Sequence, residues 1–211
     1  MRRTLLSALT ALSALSALTA PAAANPSAEQ GKALYITCTA CHGAKGEGNA
    51  ALNAPALAGQ EPWYVERQLK NFKAGVRGAH ANDTYGMQMR PMAMTLADDA
   101  AVANVAAYIA TFPAPAKEDI KGWGGDASKG QALYATCSAC HGAKAEGNAA
   151  LNAPKLTGLP SWYLTRQLKS FKEGVRGTHA GDTYGAQMRP MAMMLVDEQA
   201  MKDVVAFIKG L

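Results

Sequence analysis

Beyond its first two dozen residues the chain has no run of eighteen or more apolar residues, the length a membrane-spanning helix needs. No stretch shows sustained apolar/polar alternation, which argues against a sheet-based domain. There is no block of Lys or Arg and no interleaving of basic with aromatic residues. The formal charge of +5 is therefore no sign of a nucleic-acid partner. Cysteine is scarce as well: there are four, and none lies outside two short motifs.

Those motifs are Cys38-Thr39-Ala40-Cys41-His42 and Cys137-Ser138-Ala139-Cys140-His141. Cys-x-x-Cys-His is the attachment sequence of c-type haem. Both thiols form thioethers to one porphyrin, and the adjacent histidine ligates its iron. Two copies call for two covalently attached haem c groups, one on Cys38 and Cys41, one on Cys137 and Cys140, with His42 and His141 as axial ligands. Structural zinc would place paired Cys-x-x-Cys motifs roughly 15–20 residues apart, whereas these lie ninety-nine apart. A thioredoxin-like dithiol would need a βαβ context that the sequence lacks.

The one long apolar run, Leu5 to Ala20, follows the basic start Met1 to Arg3 and precedes Ala22-Ala23-Ala24, an A-x-A cleavage pattern. Residues 1–24 read as a secretory signal peptide, with an N-terminal membrane anchor as the alternative. A chain beginning at Asn25 loses Arg2 and Arg3, and its charge falls from +5 to +3. Export fits the haem motifs, because c-type haem is attached outside the cytoplasm, and the expected location is the periplasm.

The repeat reaches far beyond the motifs. Residues 28–112 align with 127–211 without a gap, and well over half the positions are identical. Shared blocks include Glu-Gly-Asn-Ala-Ala-Leu-Asn-Ala-Pro (47–55 and 146–154), Arg-Gln-Leu-Lys (67–70 and 166–169) and Gln-Met-Arg-Pro-Met-Ala-Met (88–94 and 187–193). A period this long is a duplicated domain rather than a solenoid unit. The expected organisation is a first domain over 25–112, a linker over 113–125 and a second domain over 126–211. Pro113 and Pro115 stiffen the start of the linker; Gly122, Gly124 and Gly125 loosen its end. Its reach allows several relative orientations of the halves. Residues 25–112 carry 7 basic and 7 acidic side chains, residues 126–211 carry 10 and 7, so the second half should hold its electron at the higher potential.

Each half should be all-α, with long loops wrapped around one haem. A helix over 28–40 leads into the first motif. Pro62 opens a second through Trp63, Leu69 and Phe72, ended by Gly75. A third starts near Asp98 and runs through Val102, Val105 and Ile109, with its counterpart over Asp197 to Ile208. A peptide core of about 85 residues is marginal alone, so the apoprotein should fold poorly.

A second axial ligand shared by both halves must recur in both. Met87 faces Ala186 in the alignment, and Met194 faces Thr95. The recurring pairs are Met89/Met188, Met92/Met191, Met94/Met193 and His80/His179, and the residues alone leave all four open.

A helix entering Cys-x-x-Cys-His, then a methionine-bearing loop before a last helix, resembles the class I cytochromes c. In that family the ligand methionine precedes a small residue by four and a leucine by seven. That frame fits Met89 with Ala93 and Leu96, and Met188 with Ala192 and Leu195. The resemblance thus implies Met89 and Met188 as ligands. It also implies that the Pro55 and Pro154 carbonyls hold the haem histidines, and that Gly31 and Gly130 let the first helix pack on Tyr108 and Phe207 of the last. Trp63/Trp162, Tyr64/Tyr163, Gln68/Gln167 and Arg77/Arg176 are candidate propionate contacts or core and surface residues. Two such domains in one exported chain resemble cytochrome c4. The implied function is periplasmic electron transfer, not catalysis, between a quinol-oxidising complex and a terminal oxidase or reductase, with peripheral membrane association possible in that setting. An alternative is the cytochrome subunit of a flavocytochrome c-type dehydrogenase; a di-haem peroxidase would need an open iron site.

Overall fold

The computed structural model describes residues 25–211; the proposed signal peptide lies outside them. Among these residues the structure is helical. Its first half contains α1 (Ala28–His42), α2 (Pro62–Lys73), α3 (Thr84–Met94) and α4 (Asp99–Ile109); its second contains α5 (Ala127–His141), α6 (Ser161–Lys172), α7 (Thr183–Met193) and α8 (Glu198–Gly210). A 3₁₀ turn follows each haem motif, at Ala50–Leu52 and Ala149–Leu151.

Most helix starts follow from their caps. Ser27 and Asp126 cap α1 and α5, and Asp98 and Asp197 cap α4 and α8, each with its side-chain oxygen accepting a first-turn N–H. Such oxygens satisfy donors that a helix leaves unpaired. Pro62 stands at the first position of α2, where its missing N–H costs nothing.

The first and last helices of each half cross in contact. A Cβ on Gly31 would sit 1.9 Å from the Asn104 carbonyl oxygen and 2.8 Å from Tyr108 Cβ; on Gly130 it would sit 1.9 Å from the Asp203 oxygen and 3.0 Å from Phe207 Cβ. A second tie joins the same helices. The Asn104 side chain accepts from Ser27 N–H at 2.6 Å, and Asp203 accepts from Asp126 N–H at 2.8 Å. That N–H bond, opposed by burial, holds the Asp203 carboxyl below its ordinary pKa. The cores lie behind these crossings: Tyr35, Val65, Leu96, Val102, Val105 and Ile109 in the first half, and Tyr134, Leu164, Leu195, Val204, Val205 and Ile208 in the second.

Helices α3 and α7 differ from expectation, since Gly86, Pro91 and their counterparts read as loop. Asp83 and Asp182 cap these helices by accepting from Gly86 and Gly185 N–H at 3.0 Å. Pro91 and Pro190 then lie inside the helices, where a proline forgoes its N–H bond to the preceding turn and crowds the carbonyl four residues back, a cost the caps and packing offset. The methionine-bearing segment is therefore helical.

The connection between the halves is tied down rather than loose. The Glu118 carboxylate accepts from Ser161 N–H at 2.8 Å and from its hydroxyl at 2.7 Å, and pairs with the buried Lys209 ammonium at 3.1 Å. Lys209 also donates to Leu159 O, Lys117 to Gly210 O, and Gln199 to Gly124 O. Burial opposes ionisation of Glu118, but the Ser161 bonds and Lys209 outweigh it and its pKa is lowered. A carboxyl depressed on folding stabilises the native state above its unfolded pKa, about 4.3 for Glu, and loses that contribution as pH falls through the folded value. Glu118→Gln should cost about 2 kcal/mol at pH 7, because it leaves a buried ammonium without its anion. Thermal melts across pH should show the gap to wild type shrinking below about pH 4; an unchanged gap at pH 3 would contradict the assignment.

The halves also differ at one strained position. Gly46 has φ 66°, and its counterpart Ala145, fully buried, has φ 53°. A Cβ on Gly46 would meet Phe112 at 2.8 Å, whereas the second half has Leu211 at the position of Phe112. Left-handed backbone costs a non-glycine residue about 1 kcal/mol. Ala145→Gly should recover up to about that much, less the methyl burial lost, as read by denaturant unfolding.

Candidate haem-binding sites

Each haem motif closes its helix. Cys38, Cys41 and His42 occupy the last turns of α1, and Cys137, Cys140 and His141 those of α5. None of the four cysteines is tied up in a disulfide; Cys41 and Cys140 are exposed, and Cys38 and Cys137 half-buried. The histidines are 5 % and 6 % exposed. His42 Nδ1 lies 2.8 Å from Pro55 O, and His141 Nδ1 2.8 Å from Pro154 O. A carbonyl only accepts, so Nδ1 carries the proton and Nε2 is the nitrogen left to coordinate. Such a bond also orients the ring. Burial lowers both histidine pKa values, partly offset by the proline carbonyls, which favours the neutral, ligating form.

Two further bonds set each motif's geometry. Tyr35 OH donates to Gly43 O at 2.9 Å, and Tyr134 OH to Gly142 O at 2.8 Å, each bracing the residue after the histidine. Burial pushes both phenols up, Tyr134 to about 12. Lys73 on α2 donates to Leu96 O beyond the end of α3, and Lys172 on α6 donates to Leu195 O and Val196 O beyond α7. The methionine helices are thereby anchored at their C-terminal ends.

The second half opens a wide-mouthed crevice, about 1280 Å³ of empty space counting the solvent at its mouth, and such concave, mostly apolar clefts are where cofactors bind. Its walls bring together Cys137, Cys140, His141, Pro154, Met188 and Met191. Met89 and Met188 are half-buried. Met92 and Met191 are 42 % and 37 % exposed, Met94 and Met193 60 % and 59 %. His80 and His179 lie at the surface, each accepting a backbone N–H two residues on in its own turn.

The interface between the halves contains two arginine pairs related by the repeat. Arg77 and Arg176, each 7 % exposed, share two glutamine oxygens. Arg77 donates to Gln68 Oε1 at 2.7 Å and to Gln167 Oε1 at 3.4 Å; Arg176 donates to Gln167 Oε1 and, at 3.3 Å, to Gln68 Oε1. Burial, then the neighbouring Arg77, lowers the Arg176 pKa. The second pair, Arg67 and Arg166, was not singled out in the sequence. Arg67 stacks on Trp63 of its own half and Tyr184 of the other, and Arg166 on Trp162 and Tyr85. The readable signal was a Trp-x-x-x-Arg spacing repeated in both halves, which puts the two side chains one helical turn apart.

These groups fit a porphyrin. Arg77 Nε and Arg176 Nε are buried with no hydrogen-bond partner, and no carboxylate pairs with either guanidinium among the described residues. Buried cations need counter-charge, and a porphyrin carries two carboxylates. Cys137, Cys140, His141 and the apolar wall would hold it, and the Arg–Gln lattice would meet its acidic edge. Bound haem supplies a one-electron couple.

Buried histidines with defined tautomers, thiols on the same helix turn and a large apolar crevice define an electron-transfer haem protein of the c type. The family model for cytochrome c matches residues 28–113 and 127–211, and the chain belongs to the cytochrome c family, with two tandem domains and two covalent haem c groups. It is 36 % identical over 202 residues to cytochrome c4 of Thiocapsa roseopersicina, covering 90 % of this chain and 95 % of that one. It is 33 % identical over 178 residues to a thiosulfate dehydrogenase electron acceptor of Stutzerimonas stutzeri, covering 80 % and 75 %. The crystal structure of reduced cytochrome c4 from Pseudomonas stutzeri superposes with a TM-score of 0.71 at 29 % identity, over 88 % of this chain and 99 % of that one.

Proposed function

We propose that this di-haem electron carrier works in the periplasm with both irons closed, by His42 and Met89 in the first domain and His141 and Met188 in the second. The observation that carries the reading is the second crevice, which gathers Cys137, Cys140, His141 and Met188 around one cavity. Met191 also lines the cavity but is more than one-third exposed, and Met193 and His179 lie at the surface. Thioether ligation favours the reduced state and raises the potential. The proline carbonyls fix the histidine rings, the Tyr35 and Tyr134 hydroxyls brace the motif ends, and the apolar wall excludes water. With both axial positions filled, the protein passes single electrons and turns over no substrate.

The electrons come from a quinol-oxidising complex and go to a terminal oxidase or reductase. A second reading, an acceptor dedicated to a dehydrogenase, is favoured by the relative that bears the name thiosulfate dehydrogenase electron acceptor. Rapid mixing separates these functions from catalysis. The reduced protein should be reoxidised by a terminal oxidase, and the oxidised protein should neither consume peroxide nor bind azide. Peroxide turnover by the isolated protein would sink the carrier reading. Reduction by a thiosulfate-oxidising dehydrogenase, with none by a quinol-oxidising complex, would establish the second.

A further inference from the structure

We propose that the two domains exchange their electrostatic tuning residues: Arg67 of the first domain sets the potential of the second domain's haem, and Arg166 of the second sets that of the first. The wall of the second crevice includes Tyr64, Arg67 and Gln68, all on α2 of the first domain. Arg67 donates to Asn152 O at 3.4 Å, two residues before Pro154, whose carbonyl holds His141. Its guanidinium also lies 4.5 Å from the Tyr184 ring, on α7 one turn before Met188. It therefore touches both the histidine side and the methionine side of the opposite site.

Arg166 repeats the arrangement toward the first domain. It donates to Asn53 Oδ1, two residues before Pro55, and lies 4.1 Å from the Tyr85 ring, one turn before Met89. Among the described residues, the side-chain stacking of each arginine within its own domain is on its tryptophan, at 4.6 Å for Trp63 and 4.8 Å for Trp162. Burial lowers the Arg67 pKa, yet a guanidinium stays protonated under all ordinary conditions. The result is a fixed, partly desolvated positive charge, and such a charge near an iron favours its reduced form. In this low-dielectric interface its field is screened less than at the surface.

The inference rests on both haems being in place, which the family provides, and not on the choice of methionine ligand. The test is a reductive titration of the full di-haem chain, followed by the paramagnetically shifted haem methyl signals assigned to each domain. Arg67→Gln should lower the second domain's potential, by at least about threefold in its reduced-to-oxidised ratio at fixed poise, with a smaller change in the first. Arg166→Gln should give the reverse pattern. Arg67→Lys keeps the charge and should restore most of the second domain's value, which a purely structural clamp would not do. A larger shift in the variant's own domain, equal shifts in both, or no shift would overturn the proposal. Failure of the methionine assignment shows separately, as a methionine–iron charge-transfer band that is missing in the wild type or undiminished in Met89→Ala or Met188→Ala.

Discussion

Gly130→Ala is expected to abolish the native second domain while leaving the first able to fold. The added Cβ would lie 1.9 Å from the Asp203 carbonyl oxygen, which belongs to helix backbone and cannot rotate away. Helices α5 and α8 would have to separate, and with them Tyr134, Val204 and Ile208, which share one core. Overpacking of this kind costs about 3 kcal/mol or more, a large part of the stability of a domain of this size. Gly31→Ala should do the same to the first domain, through Asn104. Denaturant unfolding followed at the haem absorbance should show the affected half, and only that half, losing its transition. Wild-type stability in either variant would mean that the helices do not cross as described.

Met188→Ala should produce the largest functional change. Under the proposed ligation, removal of the thioether takes away the ligand that favours reduced iron, and axial ligation commands a range of roughly 0.8 V. The second haem's potential should fall by on the order of 0.1–0.3 V, and the oxidised variant should gain an affinity for azide that the wild type lacks. Met191→Ala is the control. It removes a wall residue of the same chemistry one turn on, and should leave the potential within a few tens of millivolts, roughly, because it removes no axial ligand.

The haem attachment points were legible because their chemistry is local: two thiols and a histidine must be adjacent in sequence to serve one porphyrin. The helix crossing at Gly31 and Gly130 followed from the resemblance, and the structure gives its reason in the missing Cβ. Helices α3 and α7 were not legible. Their helix-forming information is an aspartate cap and tertiary anchoring by Lys73 and Lys172, whereas their own residues include a glycine near the start and a proline beyond the first turn. The roles of Arg67 and Arg166 were hidden for a different reason. Their partners Tyr184, Asn152, Tyr85 and Asn53 lie about a hundred residues away in the other repeat, and no local spacing records a contact between domains. The fixed linker was hidden in the same way, since Glu118 finds Ser161 and Lys209 only after the second domain has formed.

The most direct test of a closed histidine–methionine site in each half is the oxidised absorption spectrum of the full-length protein. The account requires a methionine–iron charge-transfer band with the intensity of two haems, reduced by half in Met89→Ala and by half in Met188→Ala. A band that stays undiminished in either variant, or that has the intensity of one haem in the wild type, would contradict it.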